Sequence, residues 1–258
     1  MTAAVLYNNL LDYPGATVTY THEQDNSGKY AHDWLLHSRW TPGTSAAYAL
    51  LTLDLGQQIF ADTIAIFGHN LGTTQSRIIL STSDNGTTFH SRLTVEPTDD
   101  TPIFFPFTQY SQGARYYRVA VMEPTTSTHI HHIQIGKRLD LKPLSTGFKP
   151  PMFETYTATN NINRQGVLLG RSIRKSARKM TISQKAITPT EMETDFVPWL
   201  EHASRLPFLF CWDRENRPED TVYCWLEKNA PDPVYSNLCY LSLQMKVQAM
   251  SWRELPEA

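Results

Sequence analysis

Cysteine is scarce in this chain of 258 residues, with only Cys211, Cys224 and Cys239. The number is odd, the spacing is wide, and no C-x-x-C pair occurs. That excludes a disulfide framework and a zinc ribbon, and buried, reduced thiols made in a cytoplasm are expected. Long apolar runs are missing too: no stretch approaches the ~20 residues that a membrane-spanning helix needs. The first eleven residues are interrupted by Asn8 and Asn9 and lack a basic region followed by an apolar run, so no secretory leader is expected. Charge of one sign does not dominate, since 23 Lys and Arg stand against 25 Asp and Glu. A net charge of −2 gives no overall attraction for nucleic acid or an acidic membrane. Catalytic signatures are absent as well: no G-x-S-x-G, no H-E-x-x-H and no glycine-rich phosphate loop. Asp99-Asp100 and Glu191/Glu193 are acid pairs, but no sequence feature places either in a cleft. An enzyme is not expected.

What remains is a mainly β chain. The first 140 residues are rich in Thr, Ser, Gly and Asn, with short apolar runs between them. Tyr48 to Leu55 and Thr63 to Phe67 read as strands joined by a link too short for a helix. The second ends in the loop Gly68-His69-Asn70-Leu71-Gly72. Arg77 to Ser83 follows, then the turn Asp84-Asn85-Gly86, where Asn and Gly tolerate positive φ. Phe89 to Val95 is the returning strand. Ile103 to Phe107 is flanked by Pro102 and broken by Pro106, which suits an edge or a packed loop. Arg115 to Val121 alternates, and His129 to Ile135 closes the set.

Residues 141–151 read as a linker, with lysines, prolines and a glycine. The predicted units are therefore 1–140, a β-sandwich, and 152–258, a β-rich domain with one helix. The charge balance changes between the halves: residues 1–140 hold 8 basic and 12 acidic side chains, the rest 15 and 13. In the second half Phe153 to Ala158 and Gly166 to Leu169 are strand-like. Thr188-Pro189-Thr190-Glu191 predicts a capped helix start, and Met192, Phe196, Trp199, Leu200 and Ala203 repeat at helical spacing. Pro198 inside that run predicts a kink. Pro207 to Trp212, Thr221 to Glu227 and Tyr240 to Val247 complete the strands.

Six pieces of the first half, in order, resemble the discoidin (coagulation-factor type C) family of galactose-binding-like jelly rolls. They are Ser38-Arg39-Trp40-Thr41, Leu51-Thr52-Leu53-Asp54-Leu55-Gly56, Ile64 to Asn70, Ser81 to Phe89, Ala114 to Val119, and Ile133-Gln134-Ile135-Gly136. The lack of cysteine there makes the chain similar to microbial and phage versions. The second half resembles the carboxy-terminal part of tail-tip proteins of long-tailed bacteriophages, on Pro207 to Asp213, Val222-Tyr223-Cys224-Trp225 and the alternating last strand. Together these resemblances imply a structural component of a phage tail tip or baseplate. It would be a homo-oligomeric ring that joins the tail tube and hub to the adhesion apparatus, located in the virion and assembled in the host cytoplasm. The alternative they leave open is a carbohydrate-binding module that recognises a host-surface glycan through apical loops.

Several residue sets are candidates for those roles. Tyr30, Trp40 and His69 offer rings to stack on a sugar, and Asp33 and Asn70 offer groups for its hydroxyls. Between Arg164 and Lys185 there are seven basic residues, no acid and no aromatic. Without aromatic interleaving the run does not read as a nucleic-acid site. It is expected to be either a solvated face or a contact with an acidic neighbouring subunit, through Arg171, Arg174, Lys175, Arg178 and Lys179. His129, His131 and His132 invite a metal, with His69 as a third ligand, or are polar residues at a rim; the metal is left unknown. No cofactor is otherwise expected, except that Asp12 and Asp54 are candidate calcium ligands.

Overall fold

Alternating apolar and polar residues build a five-stranded antiparallel sheet. Its order is β2 (Thr17–Thr21), β3 (Tyr48–Ile59), β8 (Ala114–Met122), β5 (Arg77–Ser83) and β6 (His90–Val95). In β3 the inward set Ala49, Leu51, Leu53 and Leu55 is buried, with the residues between them less so. This face packs on a three-stranded sheet of β7 (Ile103–Pro106), β4 (Thr63–His69) and β9 (Ile130–Gly136). Trp40, Ile64, Ile66, Tyr117, Ile133 and Ile135 lie in the core between them. The computed structural model describes residues 2–108, 112–145, 147–151, 156–236 and 239–252.

The chain is mainly β, as expected, but its layers are not divided by the linker. Every residue of β4 and of β9 is buried. Sheets covered on both faces read as continuous apolar runs, and β4 does. The second face of β4 carries Ala65 and Phe67, which pack with Phe104 against Ala4, Leu6, Leu209, Cys211 and Tyr223. Those five belong to a larger sheet. Its order is β10 (Leu139–Asp140), β1 (Ala4–Leu6), β14 (Phe208–Cys211), β15 (Val222–Leu226), β17 (Leu241–Met250) and β13 (Arg178–Ile187), with β16 (Val234–Tyr235) also on β17. The predicted boundary between 1–140 and 152–258 therefore needs correction at both ends. Residues 4–6 and 139–140 are strands of the second sheet, and Leu141 of the expected linker is buried in that sheet's core. A three-residue strand with no polar alternation gives little sequence signal, so Ala4–Leu6 was not legible as one.

The far face of the large sheet is closed by a helical segment. It starts as α1 (Pro189–Glu191), passes through a π turn at Met192–Phe196, and continues as α2 (Val197–Ala203). The capping box is formed: Glu191 N–H donates to Thr188 Oγ1 (3.2 Å), and Thr188 N–H donates to Glu191 Oε2 (2.8 Å). Pro198 has no N–H to continue the ordinary ladder, and the chain widens just before it. Met192, Phe196, Trp199, Leu200 and Ala203 all enter the core with Phe208, Phe210 and Met245. Thr188→Ala removes one cap and should cost about 1 kcal/mol of unfolding free energy, read as a lower denaturant midpoint with unchanged slope.

One element stands apart. β11 (Tyr156–Ile162) and β12 (Leu168–Lys175) form a two-stranded antiparallel ribbon. Every residue of β11 is exposed. The strand expected at Phe153 to Ala158 lies partly outside the described residues, since 152–155 are not among them.

Candidate functional site

The connections that leave one end of the sandwich converge. The end of β2, the start of β3, the end of β8 and the start of β5 meet there, because Tyr48 and Arg77 both pair with Met122. The ends of β4 and β9 meet there too, through His69 and Ile130. Loops 22–47, 70–76, 96–102 and 123–129 therefore form one surface. Four of the five predicted sugar contacts are built into its frame.

Trp40 is fully buried, and its backbone exchanges two hydrogen bonds with Ile130 (2.8 and 2.9 Å). It is a core residue, and its role as a stacking surface is withdrawn. His69 is 4% exposed and likewise unavailable for stacking. Its Nδ1 accepts from the Leu71 N–H (3.3 Å), and burial pulls its pKa down to about 4. Asn70 is a staple between loops: its amide donates to Ser127 O (2.8 Å) and accepts from the His129 N–H (2.8 Å). Asp33 accepts from the Leu35 N–H (2.9 Å) and the Ser38 hydroxyl (2.6 Å), which closes its own turn. Tyr30 remains exposed, with the Lys29 ammonium 5.1 Å from its ring centre. A single sequence cannot separate a buried Trp from a displayed one, since both are flanked by polar residues.

The histidine run divides by face. His129 and His131 sit edge to face, 5.4 Å apart, while His132 lies in the seam against Trp34 (4.7 Å) and Tyr223 (5.7 Å). His131 Nδ1 meets Ser38 O (2.9 Å), and both His131 and His132 are buried rather than at a rim. Among the described residues no group of three His, Cys, Asp or Glu side chains is gathered to hold a metal ion. Asp54 is paired through both carboxylate oxygens with Arg115 (2.8 and 2.9 Å), whose hydrogen bond draws its pKa down to about 2. Asp12 accepts instead from the Trp34 indole (2.7 Å) and meets His32 Nδ1 (2.8 Å). Cys211 and Cys224 are buried as expected, and burial pushes both thiols up, Cys211 to about 11; Cys239 is exposed.

The predicted basic contact set is split between two elements. Arg171 and Arg174 are exposed on β12, which Lys175 ends. Arg178 and Lys179 open β13, and Lys179 Nζ pairs with Glu227 of the same chain.

What the sequence did not single out is a cleft of about 520 Å³ at the loop end. It is lined by Gly72, Gln75, Ser76, Arg77, Glu96, Pro97, Thr98 and Glu123. Arg77 is the centre of its chemistry. Its two terminal nitrogens lie 3.8 Å from Glu96 and from Glu123, beyond direct hydrogen-bond reach, and its Nε is buried without a partner. Gln75 and Glu123 both adopt positive φ (55° and 54°). Such backbone strain is uncommon away from glycine and collects at binding surfaces. Gly72 is required where it stands, because a Cβ would collide with the backbone of Asp99. Thr73 locks the same two loops by donating to Asp100 from N–H (2.9 Å) and hydroxyl (2.6 Å). On the outer sheet face Tyr48, Met122 and Arg77 form one cross-strand row, and Tyr48 is 40% exposed. Two strand spacings put Tyr48 roughly 10 Å from Arg77. The one available signal for this site was that Arg77 opens a strand directly after a glycine-bearing loop.

No protein-family model matches the chain, and no curated protein matches it. Several solved structures are similar to it. One is CpGH89CBM32-6, produced by Clostridium perfringens, at 20% identity and TM-score 0.41, over 50% of this chain and 99% of that one. A second is CBM32-1 from a family 31 glycoside hydrolase of Clostridium perfringens, at 14% identity and TM-score 0.41, over 51% and 99%. A third is chitosan-binding module 1 from a chitosanase/glucanase of Paenibacillus sp. IK-5, at 18% identity and TM-score 0.41, over 50% and 98%. No helix among the described residues is long and apolar enough to cross a membrane.

Proposed function

We propose that the chain is a non-catalytic binding protein whose sandwich recognises a carbohydrate in the Arg77 cleft. The observation that carries this reading is the arrangement of Arg77 between Glu96 and Glu123, with a buried Nε that lacks a partner. Sugar hydroxyls donate and accept at once. A guanidinium with unused N–H groups, set between two carboxylates, answers both functions on adjacent hydroxyls. The Tyr48 ring is a platform for the apolar face of a second sugar ring in the same row. Strained, cross-linked loops keep these groups in place before the ligand arrives, which lowers the ordering cost of binding.

The test is a glycan array followed by titration of the best glycan. Arg77→Ala should weaken binding about 10- to 100-fold, the loss of charge-assisted hydrogen bonds worth roughly 1.5–3 kcal/mol. The side chain is 41% exposed, so the fold should be unaffected. Glu123→Gln should weaken binding less. An array with no bound glycan, or affinity indifferent to Arg77→Ala, sinks this reading.

A second reading is favoured by the β11–β12 ribbon. We propose it as the alternative: a structural component of a phage tail tip, in a homo-oligomeric ring between the tail tube and the adhesion apparatus. An exposed ribbon with six large apolar side chains, from Tyr156 to Ile173, suits assembly better than it suits a free-standing module. Purified virions should then contain the chain at a fixed copy number, and its absence from them would refute this reading.

A further inference from the structure

Register separates the two faces of the ribbon. Directly opposed residues share a face, so Ala158 and Ile173, Asn160 and Arg171, and Ile162 and Leu168 fall together. The other face carries Thr157 with Arg174, Thr159 with Ser172, and Asn161 with Gly170. The first face carries Ala158, Ile162, Leu168 and Ile173 beside Asn160 and Arg171, with Tyr156 opposite Lys175 at its end; the second has no large apolar residue. This is the binary pattern of a ribbon that buries one side. Yet Ile162, Leu168 and Ile173 are each 58% exposed, and Leu169 is 69% exposed. A lone two-stranded ribbon is marginal in water, so its pattern calls for a covering surface.

Charge identifies the cover. The ribbon, residues 156–175, carries four basic side chains and no acid, so the remaining chain holds nineteen basic against all 25 acidic ones. The body of this protein thus complements its own ribbon. A matching surface is the helical segment, which contains Glu193, Asp195 and Glu201 with no Lys or Arg between Thr188 and Ser204, while Glu191 is already paired with Lys142 (2.8 Å). Glu193 and Glu201 are exposed, beside exposed Val197 (37%) and, just past the helix, Leu206 (38%). Acidic groups flanking apolar ones match a ribbon face on which Arg171 stands among isoleucine and leucine.

We infer that the β11–β12 ribbon of one copy docks on the α1–α2 face of a second copy. The inference deepens the assembly reading and rests on it only for the presence of a second copy; it is independent of the sugar cleft. The two surfaces differ, so the contact is heterologous and propagates head to tail until it closes. The neighbouring strand β13 is the terminal strand of the large sheet, and only Ser176 and Ala177 separate it from β12. The position of the ribbon is thereby fixed close to the sheet.

Sedimentation velocity and light scattering of the full chain across a concentration series test the inference. A discrete oligomer is expected. Ile162→Asp with Ile173→Asp should lower the association constant at least tenfold, and so should Glu193→Lys with Glu201→Lys. All four sites are exposed, and near-ultraviolet circular dichroism should report an unchanged fold. Arg171→Glu should also weaken association, and joining it with Glu193→Lys and Glu201→Lys in one chain should restore it. A chain that stays monomeric at 100 μM overturns the proposal. So does an oligomer that survives the ribbon variants, or one lost by ribbon variants but untouched by the helix variants. Ribbon-dependent binding to anionic vesicles by a monomeric chain would show that a membrane, not a second copy, is the partner. Glycan binding unaffected by any of these variants separates this outcome from that of the cleft.

Discussion

Trp40→Ala should lower the unfolding free energy by about 3–5 kcal/mol, among the largest losses that a single truncation produces. The side chain is fully buried in the core between the five- and three-stranded sheets. Its removal forfeits the transfer energy of an indole and leaves a cavity that two rigid sheets cannot collapse. Trp40 also holds the start of β9 through two backbone hydrogen bonds, so the loops at that end loosen as the core empties. Urea titration followed by fluorescence checks the magnitude. A binding assay alone would mislead, because lost affinity in this variant reflects unfolding. Tyr30→Ala is the control: at an exposed position it should change stability by no more than about 0.5 kcal/mol. A Trp40→Ala protein as stable as the parent would mean that the indole is displayed after all.

Acid should weaken the fold well before its carboxylates are titrated. His69 and His132 are almost fully buried, and burial holds both pKa values down to about 4. Asp99 and Asp100 oppose that shift at His69 but do not offset it; at His132, Asp12 opposes it and His32 adds to it. In the unfolded chain each imidazole titrates near 6.5. Between those values the unfolded state binds more protons, so stability is full above pH 6.5 and falls as pH drops toward 4. The loss is on the order of 3 kcal/mol for each histidine. Burial also lowers His129, His131 and His202, which adds to the same trend. Denaturant midpoints measured from pH 7.5 to 4.5 should decline steeply. His132→Phe keeps the ring contacts with Trp34 and Tyr223 and should flatten the decline by removing one titrating group. A midpoint constant over that interval would show that these imidazoles are not neutral and buried.

The strands of the sandwich were legible because their two faces differ. Alternation in β3 and β8 and the Asn85-Gly86 turn each leave a pattern that one sequence displays. The helix was legible from its capping box and its apolar spacing, and Pro198 from its missing N–H. That the middle sheet is covered on both sides was not. β9 reads as a strand with polar histidines, and its sequence alone cannot say that His132 and Gln134 face a second sheet. The cleft escaped for a different reason. It is made by register: Tyr48, Met122 and Arg77 are far apart in sequence and become neighbours only when β3, β8 and β5 pair. The sequence candidates Trp40, His69 and Asn70 lie at the same end of the sandwich as the cleft, but as the frame of its loops.

The strand β1 has a consequence for how the chain reaches its fold. Val5 pairs with Phe210, about two hundred residues later, and with Leu139 on its other side. A strand made before the whole sandwich is thus among the last to find its main partner. Contacts so distant in sequence carry a large loop-closure cost before they return any stabilisation, and folding slows accordingly. The sandwich can gather its own strands during synthesis, but the sheet behind it must wait for β14. Until then the apolar face of β4, with Ala65 and Phe67, is bare and open to aggregation.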